Sequence, residues 1–558
     1  MRTVFLSSRN DLPDVAVAPG LYNYSSNAYN PHLNHVVLNN TSDRAITLQK
    51  QQFIGWAEPL REEETLHALV TLNENYIDTP PLNNIAAAAP AAPNEYECNQ
   101  SDIDKTRKIR RWLESASVKE QTQWVVDSFR LNENPVLNKD PVIKKEVIQL
   151  LLQYIDILAV TRTDYGHSTQ CPLKIRLEAG ARPFRAKIRP LNPRQLDSLK
   201  EQIHTWLSTR VIAPSQSEWG SALVAVTKKD LSTWWCIDFR PVNRVSKKDS
   251  YPFQSIAYNF SRLGGSQFFS LLDGCGAFHT LEVEKDSQDI TTFVSPVGAY
   301  KFLRVPFGLQ GSPSAYARFV DTVMQNSDTD NILAYLDDIL VHSATTRDHV
   351  NHLRTALQLH RKAGIKINPS KTFLFARETV YLGHSISAEG ISMLKEYLQV
   401  IQDWPTPQTA SQTRSFLGKC GYYRSFIEDF ADLAAPLDEN RSENKFCWTA
   451  VHDEAFKRLK EAFLRAFERG PLGVPDFSET AAPFILDTDF SARGISYLLS
   501  QEQRGREILL ACNGRKLNVH ERNYSSPKGE LLAIHTGCLR YESQLRFKKF
   551  VIRTDHRS

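Results

Sequence analysis

An α+β fold class follows from three features of the sequence. Short apolar runs broken by Gly and Pro begin near Cys171, segments of helical periodicity are interleaved with them, and the last 80 or so residues read as strands, a helix and a further strand. At 558 residues the chain has room for about three or four folded units of roughly 150 residues each. Its content of 41% hydrophobic, 10% aromatic and 23% charged residues is that of a globular protein and excludes the disordered and fibrous classes. The formal net charge is only +4, so any nucleic-acid binding must use local patches rather than a chain-wide cationic field. The eight cysteines stand singly, with no Cys-x₂-Cys pair, which argues against zinc fingers and disulfide scaffolds and fits reduced thiols. No run of about 18 apolar residues occurs, and the first residues lack an apolar signal segment, so the expectation is a chain that neither crosses a membrane nor is secreted.

Taken in order, residues 1–78 are expected to form a small β-rich unit, with Val36, Leu38, Ile46, Leu48 and Phe53 at strand-like intervals between turn residues. Residues 79–97 have a linker's composition, because Pro removes backbone donors and a short Ala run offers little to pack. Residues 98–165 carry apolar residues at three-to-four spacing (Ile109, Trp112, Leu113; Val147, Leu150, Leu151, Tyr154), the mark of amphipathic helices. The basic run DKTRKIRR within them suits a solvated helix face better than a phosphate contact. Residues 166–390 mix strands with helices such as 348–362, and residues 391–478 are mainly helical. In 479–558, PFILDTD, SYLLSQ and REILLAC read as successive strands, followed by a helix over 528–541 and the strand KKFVIRTD. No internal repeat is present.

The sharpest chemical signal is NILAYLDDILVHS, in which Asp337 and Asp338 sit between two apolar runs. Adjacent acids so placed repel each other and resist desolvation unless they lie at a hairpin tip with a cation. Mg²⁺ is the natural partner of such hard oxygens, although an Asp-Asp pair by itself also suits a plain polar turn. A second apolar run, SQFFSLLDG, ends in Asp273. If the two runs are neighbouring strands, Asp273 and Asp337 converge on a site for two metals about 3.5–4 Å apart, the arrangement used for in-line phosphoryl displacement. Read alone, Asp273 equally suits a strand-ending turn.

From about Cys171 to Ser558 the sequence resembles the polymerase of Gypsy-type (Metaviridae-like) LTR retrotransposons, the reverse transcriptase and ribonuclease H portion of their Pol polyprotein. YLDD at 335–338 matches the Y-x-D-D box, FFSLLDGCGAFHTLEV at 268–283 the first-aspartate block, RVPFGLQGSPSAYARFVD at 304–321 the P-F-G-L block and CIDFRPVN at 236–243 the fingers block. LGHSISAEGI at 382–391 resembles the primer grip, and further matches lie at 411–437 and 446–463. Seven ordered blocks are far more specific than any single motif. The resemblance implies a right-hand polymerase with fingers and palm over 166–390 and thumb and connection over 391–478. An incomplete ribonuclease H-like α/β domain over 479–558 would follow, with residues 1–78 a protease-to-polymerase spacer.

It also implies roles. Asp273, Asp337 and Asp338 match the catalytic, metal-binding carboxylates. Phe278 matches the bulky gate that excludes a ribose 2′-hydroxyl by clash. Gly276 and Ala277 match positions whose N–H groups face the triphosphate, Phe307 to Leu309 would line the nucleotide pocket, and Lys228 or Lys229 would meet the β- and γ-phosphates. Lys371 matches a lysine that protonates the leaving pyrophosphate. Asp489, Glu530 and Asp555 match the ribonuclease H carboxylates, where two metals would activate water to cut the RNA of an RNA–DNA hybrid. The cluster Arg546, Lys548, Lys549 and Arg553 would suit that hybrid's phosphates or an ordinary charged strand edge.

Three departures from the family pattern stand out. Trp234 and Trp235 occupy the region where the family has a phosphate-clamping arginine, and GCG at 274–276 leaves the first-aspartate turn more flexible. The sequence ends three residues after Asp555, whereas the family continues to a fourth acidic ligand, so ribonuclease H cleavage is left open. No protease motif, Cys/His knuckle or integrase segment is seen, and the sequence is expected to be a fragment of a longer reading frame. Expected cofactors are Mg²⁺, two per polymerase site and two per active ribonuclease H site. Expected partners are an RNA or DNA template, a primer with a 3′-hydroxyl, dNTPs and an RNA–DNA hybrid. The element class adds capsid protein and integrase, an oligomer, and a cytoplasmic virus-like particle. The rival reading is a catalytically silent, retroelement-derived nucleic-acid-binding protein.

Overall fold

The computed structural model describes residues 101–227, 233–325, 330–442, 446–546 and 548–554, together with the backbone of five short strands within the first 59 residues. Two compact units divide after Ala88. In the first, Arg2–Ser8 pairs antiparallel with Gly20–Tyr24 and Gly55–Pro59, and Val15–Val17 pairs with Leu38–Asn40. These strands include Leu38, while the expectations for Val36, Ile46, Leu48, Phe53 and the linker 79–97 lie outside the described residues.

The second unit opens with the helices Ser101–Ser115, Val118–Ser128 and Pro141–Gln153. Local chemistry sets two of their starts. Ser117 and Glu120 form a reciprocal capping box, and Asp140 caps the amides of Val142 and Ile143 ahead of Pro141 in the first turn. Val125, Val147, Leu150 and Leu151 then bury in one core with Leu272, Ile339 and Val341 of the central sheet and with Leu353 of a helix packed on it. The helical segment is therefore built into the same core as the sheet that bears the aspartates.

That central sheet is antiparallel, in the order Ile332–Tyr335, Asp338–Ser343, Phe268–Asp273, Phe373–Ala376. Phe268–Asp273 is buried along its length except at Asp273, as its near-continuous apolar sequence requires of a central strand. The helices Ser312–Met324 and Thr346–Ala363 add Phe319, Val320, Leu353 and Leu357 to the buried layers around it.

A second sheet orders Ile212–Pro214, Gly298–Phe302, Phe293–Ser295, Ser221–Thr227 and Thr233–Asp238. Strand alternation sends the two neighbouring tryptophans to opposite faces. Trp235 is 5% exposed in the core and its Nε1 donates to Ser198 Oγ at 3.3 Å, whereas Trp234 is 37% exposed. Only Trp234 is thus open to a ligand. Trp235→Ala is expected to cost about 3–5 kcal/mol in chemical denaturation, and Trp234→Ala less than about 1 kcal/mol.

Beyond the hairpin strands His384–Ser387 and Gly390–Met393, four helices (Lys395–Gln402, Ala410–Gly421, Phe430–Glu439, Ala450–Arg469) share a core around Phe416, Tyr423, Leu459 and Phe463. The last sheet runs Arg506–Lys516, Gly494–Gln503, Phe484–Phe490, Phe550–Thr554, antiparallel except for its final parallel pair. The helix Ser526–Arg540 packs on it through glycines: a Cβ at Gly529 would fall 2.4 Å from the Phe490 ring.

Candidate active site

The antiparallel register sets Asp273 directly opposite Asp338, and Tyr335 pairs with Asp338 across a two-residue turn made of Leu336 and Asp337. Leu336 adopts φ +53°, a left-handed conformation that strains a branched side chain and fits the twist of a tight hairpin. Three carboxylates thus share one end of a buried sheet. Their electrostatics record the crowding. Burial pushes the Asp338 carboxyl up to about 7, with Asp337 and Asp273 adding to the rise. Burial also raises Asp273 to about 6, against the opposing pull of Lys371, with Asp337 raising it further. Asp337, at the open tip of the hairpin, is raised by loss of water, offset by its own backbone N–H and by Lys371.

The segment 368–372 braces this end of the sheet. The Asn368 amide donates to the Asp273 carbonyl at 2.8 Å, the Asp273 amide donates to Thr372 Oγ1 at 3.3 Å, and Lys371 Nζ lies 4.0 Å from Asp273 Oδ1. Lys371 holds the position of a counter-cation among hard oxygen donors whose charged forms are costly without one, so the residues fit a divalent cation. Among the described residues no three acidic, His or Cys donors converge closely enough to cage an ion.

Beyond Asp273 the chain turns through Gly276 at φ +59° into the 3₁₀ turn Ala277–Thr280. The turn is closely packed rather than loose. Cys275 is 3% exposed with its Sγ on the Thr161 and Arg162 carbonyls, and a Cβ at Gly276 would fall 2.3 Å from the Tyr165 ring. Ala277 is buried, and Phe278 meets Phe307 edge-on at 5.1 Å and Tyr316 at 5.4 Å. Phe307 is 52% exposed, whereas Leu309 is 4% exposed and packs in the core. Asn243 holds this loop, donating to the Gly308 carbonyl and accepting from the Gln310 amide, each at 2.9 Å. Lys228 and Lys229 lie outside the described residues.

At the second carboxylate set, Asp489 lies in the strand Phe484–Phe490 and lines a small cleft with Asp432 and Ser491. Glu530 is 6% exposed and accepts from Thr554 Oγ1 at 3.2 Å, and Thr554 is in register with Thr488. One end of the sheet therefore gathers Glu530 and the residue before Asp489. Asp555 lies outside the described residues. Of the basic cluster, Arg553 is engaged by Asp487 and Glu507, so it serves the strand edge.

Comparison with known proteins adds independent findings. Residues 226–386 match the reverse transcriptase (RNA-dependent DNA polymerase) family model, and residues 479–558 the RNase H-like domain found in reverse transcriptase. The Pol polyprotein of the Drosophila melanogaster transposon gypsy is 32% identical over 70% of this chain and 39% of its own length. That of transposon 412 from the same fly is 29% identical over 75% of this chain and 34% of its own length. This chain carries reverse transcriptase and RNase H-like domains of the gypsy type. It spans between a third and two fifths of the length of these relatives. The foamy viral protease-reverse transcriptase solved with double-stranded DNA shares the fold, with a TM-score of 0.66 at 21% identity, covering 79% of this chain and 90% of that one. A second form of that viral protein gives 0.66 at 20% identity, covering 79% and 75%.

Against the gypsy-type pattern, the sequence marks the aspartates and Phe278 but not their supports. Asn368, Thr372 and Asn243 carry no motif of their own, although Asn243 closes the CIDFRPVN block. Arg110, inside the basic run read as a solvated face, turns inward to Asp164.

Proposed function

We propose that this chain is an RNA-directed DNA polymerase that extends a primer on an RNA or DNA template by nucleotidyl transfer from dNTPs. The observation that carries the reading is the register of Asp273 against Asp338 at the end of a buried sheet, with Asp337 at the hairpin tip. Bound between these carboxylates and the substrate, Mg²⁺ would lower the charge repulsion between the attacking 3′-hydroxyl and the triphosphate. Asp273 and Asp337 would hold it, with Asp338 directly opposite Asp273 in the sheet. The Gly276–Phe278 turn supplies backbone N–H groups for the triphosphate, and glycine at 276 lets that turn pack against the Tyr165 ring. Phe278 and Phe307 form the floor on which the sugar rests, and Lys371 lies beside Asp273, where it can deliver a proton to departing pyrophosphate. Contacts to template and primer fall mainly on phosphates, so binding is sequence-tolerant and weakens with salt. Ribonuclease H cleavage of a hybrid by Asp489, Glu530 and Asp555 is the second activity of the reading.

One observation favours the rival, a silent nucleic-acid-binding protein: Trp234 stands exposed where a clamp for the nucleotide phosphates is expected. Incorporation of dTTP on poly(rA)–oligo(dT) separates the two. The polymerase reading expects incorporation that needs Mg²⁺ and stops with chelator; template binding with background incorporation at every metal concentration supports the rival.

A further inference from the structure

Asp164 and Tyr165 precede the matched polymerase region, which begins at residue 226, and belong to none of the blocks that carry the resemblance. Asp164 is 7% exposed, and its carboxylate is filled from three directions. Oδ2 accepts Nε and Nη2 of Arg110 at 3.1 and 2.5 Å and the Val160 amide at 3.1 Å, while Oδ1 faces the Lys366 ammonium. Arg110 comes from the helix Ser101–Ser115 and also donates to the Ile155 and Leu158 carbonyls, at 3.2 and 2.6 Å. The Lys366 carbonyl accepts the Cys275 amide at 2.7 Å, which ties the network to the turn after Asp273. A buried carboxylate shared by two cations is tolerated in one arrangement only, so the residue that follows it is aimed.

That residue is Tyr165. Its ring fills the space behind Gly276 and meets His279 edge-on at 5.2 Å. His279, 7% exposed, is fixed by an Nδ1 hydrogen bond to the Val305 carbonyl at 3.1 Å and meets Phe307 at 5.5 Å, which in turn meets Phe278 at 5.1 Å. Four rings run without a break from the ion network to the residue that matches the sugar gate. Exclusion by clash is only as strong as the wall's resistance to retreat, and close-packed rings transmit that resistance.

We propose that Tyr165, aimed by the Arg110–Asp164–Lys366 network, is a positioning residue for sugar selection that holds Phe307 and Phe278 against the incoming nucleotide. The proposal rests on the polymerase reading of Phe278. It is tested by single-nucleotide incorporation of dNTP and of the matching ribonucleotide by the full chain. Tyr165→Phe and Tyr165→Leu are compared with the parent, in Phe278 and Phe278→Ala backgrounds. Tyr165→Phe should keep the parent's preference for dNTP. Tyr165→Leu, which stays apolar but removes the ring, should lower that preference about 5- to 20-fold through a lower KM for the ribonucleotide, with kcat for dNTP near the parent's. In the Phe278→Ala background, where the gate is already gone, the same change should have no further effect. Unchanged preference in Tyr165→Leu, or an equal loss in both backgrounds, overturns the proposal. A parent that uses neither nucleotide overturns the polymerase reading and this proposal with it, and is distinguished from the first failure by the missing dNTP signal.

Discussion

Asp338→Asn is expected to make the metal-free protein more stable and to remove its incorporation of nucleotides. The stabilising half follows from the sign of the shift. The folded pKa of Asp338, about 7, lies above its ordinary value of 3.8, so the folded state resists its charge. Stability tied to this carboxyl is fully present below about pH 4 and is lost as pH rises through about 7. At neutral pH an amide there should recover on the order of 2 kcal/mol once solvent screening is allowed for. The catalytic half follows from the loss of a negative oxygen directly opposite Asp273, where the carboxylates would hold the cation, and a fall of about a thousandfold or more in rate is expected. Thermal melts of parent and variant in chelator, repeated in Mg²⁺, check both parts. Mg²⁺ should raise the parent's Tm and leave the variant's nearly unmoved. A variant that melts below the parent in chelator contradicts the account of the site as an assembly of repelling, cation-awaiting carboxylates.

Acid should unfold the protein well above the range in which surface carboxylates titrate. Burial depresses His279, His342, His360 and His384 to about 4 and His349 to about 3. His349 is enclosed in a serine–histidine network: its Nε2 and Nδ1 bond to Ser270 Oγ at 2.7 Å and Ser343 Oγ at 2.8 Å, and Ser343 Oγ also meets His352 Nδ1 at 2.8 Å. These histidines are neutral when folded and gain protons when unfolded, so their contribution is present above about pH 6.5 and lost as pH falls toward 4. Each costs up to about 1.4 kcal/mol per pH unit in that window. The opposite slope from Asp273, Asp337 and Asp338 is smaller because three groups oppose five. Chemical denaturation from pH 7.5 to 5 should therefore show a steep loss of stability, flattened in His349→Asn. A pH-independent midpoint contradicts the buried neutral network.

Much of the site was legible because its chemistry is local in sequence. The hairpin that carries Asp337 and Asp338 is announced by two apolar runs flanking two acids, and the strand ending at Asp273 by its own apolar run; the structure pairs them as neighbours. The ribonuclease H-like sheet was legible for the same reason, since its strands and helix follow one another with little between them. What could not be read is held by long-range contacts. Asp164 meets Arg110 and Lys366 across 54 and 202 residues, with no periodicity or motif to join them. Residues 98–165 read as a separate helical segment because amphipathic spacing shows that a face is buried, but not against what. The Trp234–Trp235 pair read as one departure, whereas strand alternation makes it two residues with different roles. The glycines at 274–276 read as freedom, but Gly276 is needed because Tyr165 fills the space its side chain would take.

The most direct test of the central claim is primer extension on poly(rA)–oligo(dT) with Mg²⁺ by the purified chain and by Asp337→Asn/Asp338→Asn. The account predicts template-dependent extension by the parent and none above background by the double variant, with both proteins folded and both binding the template. Equal extension by the two, or none by a folded, template-bound parent, would contradict it.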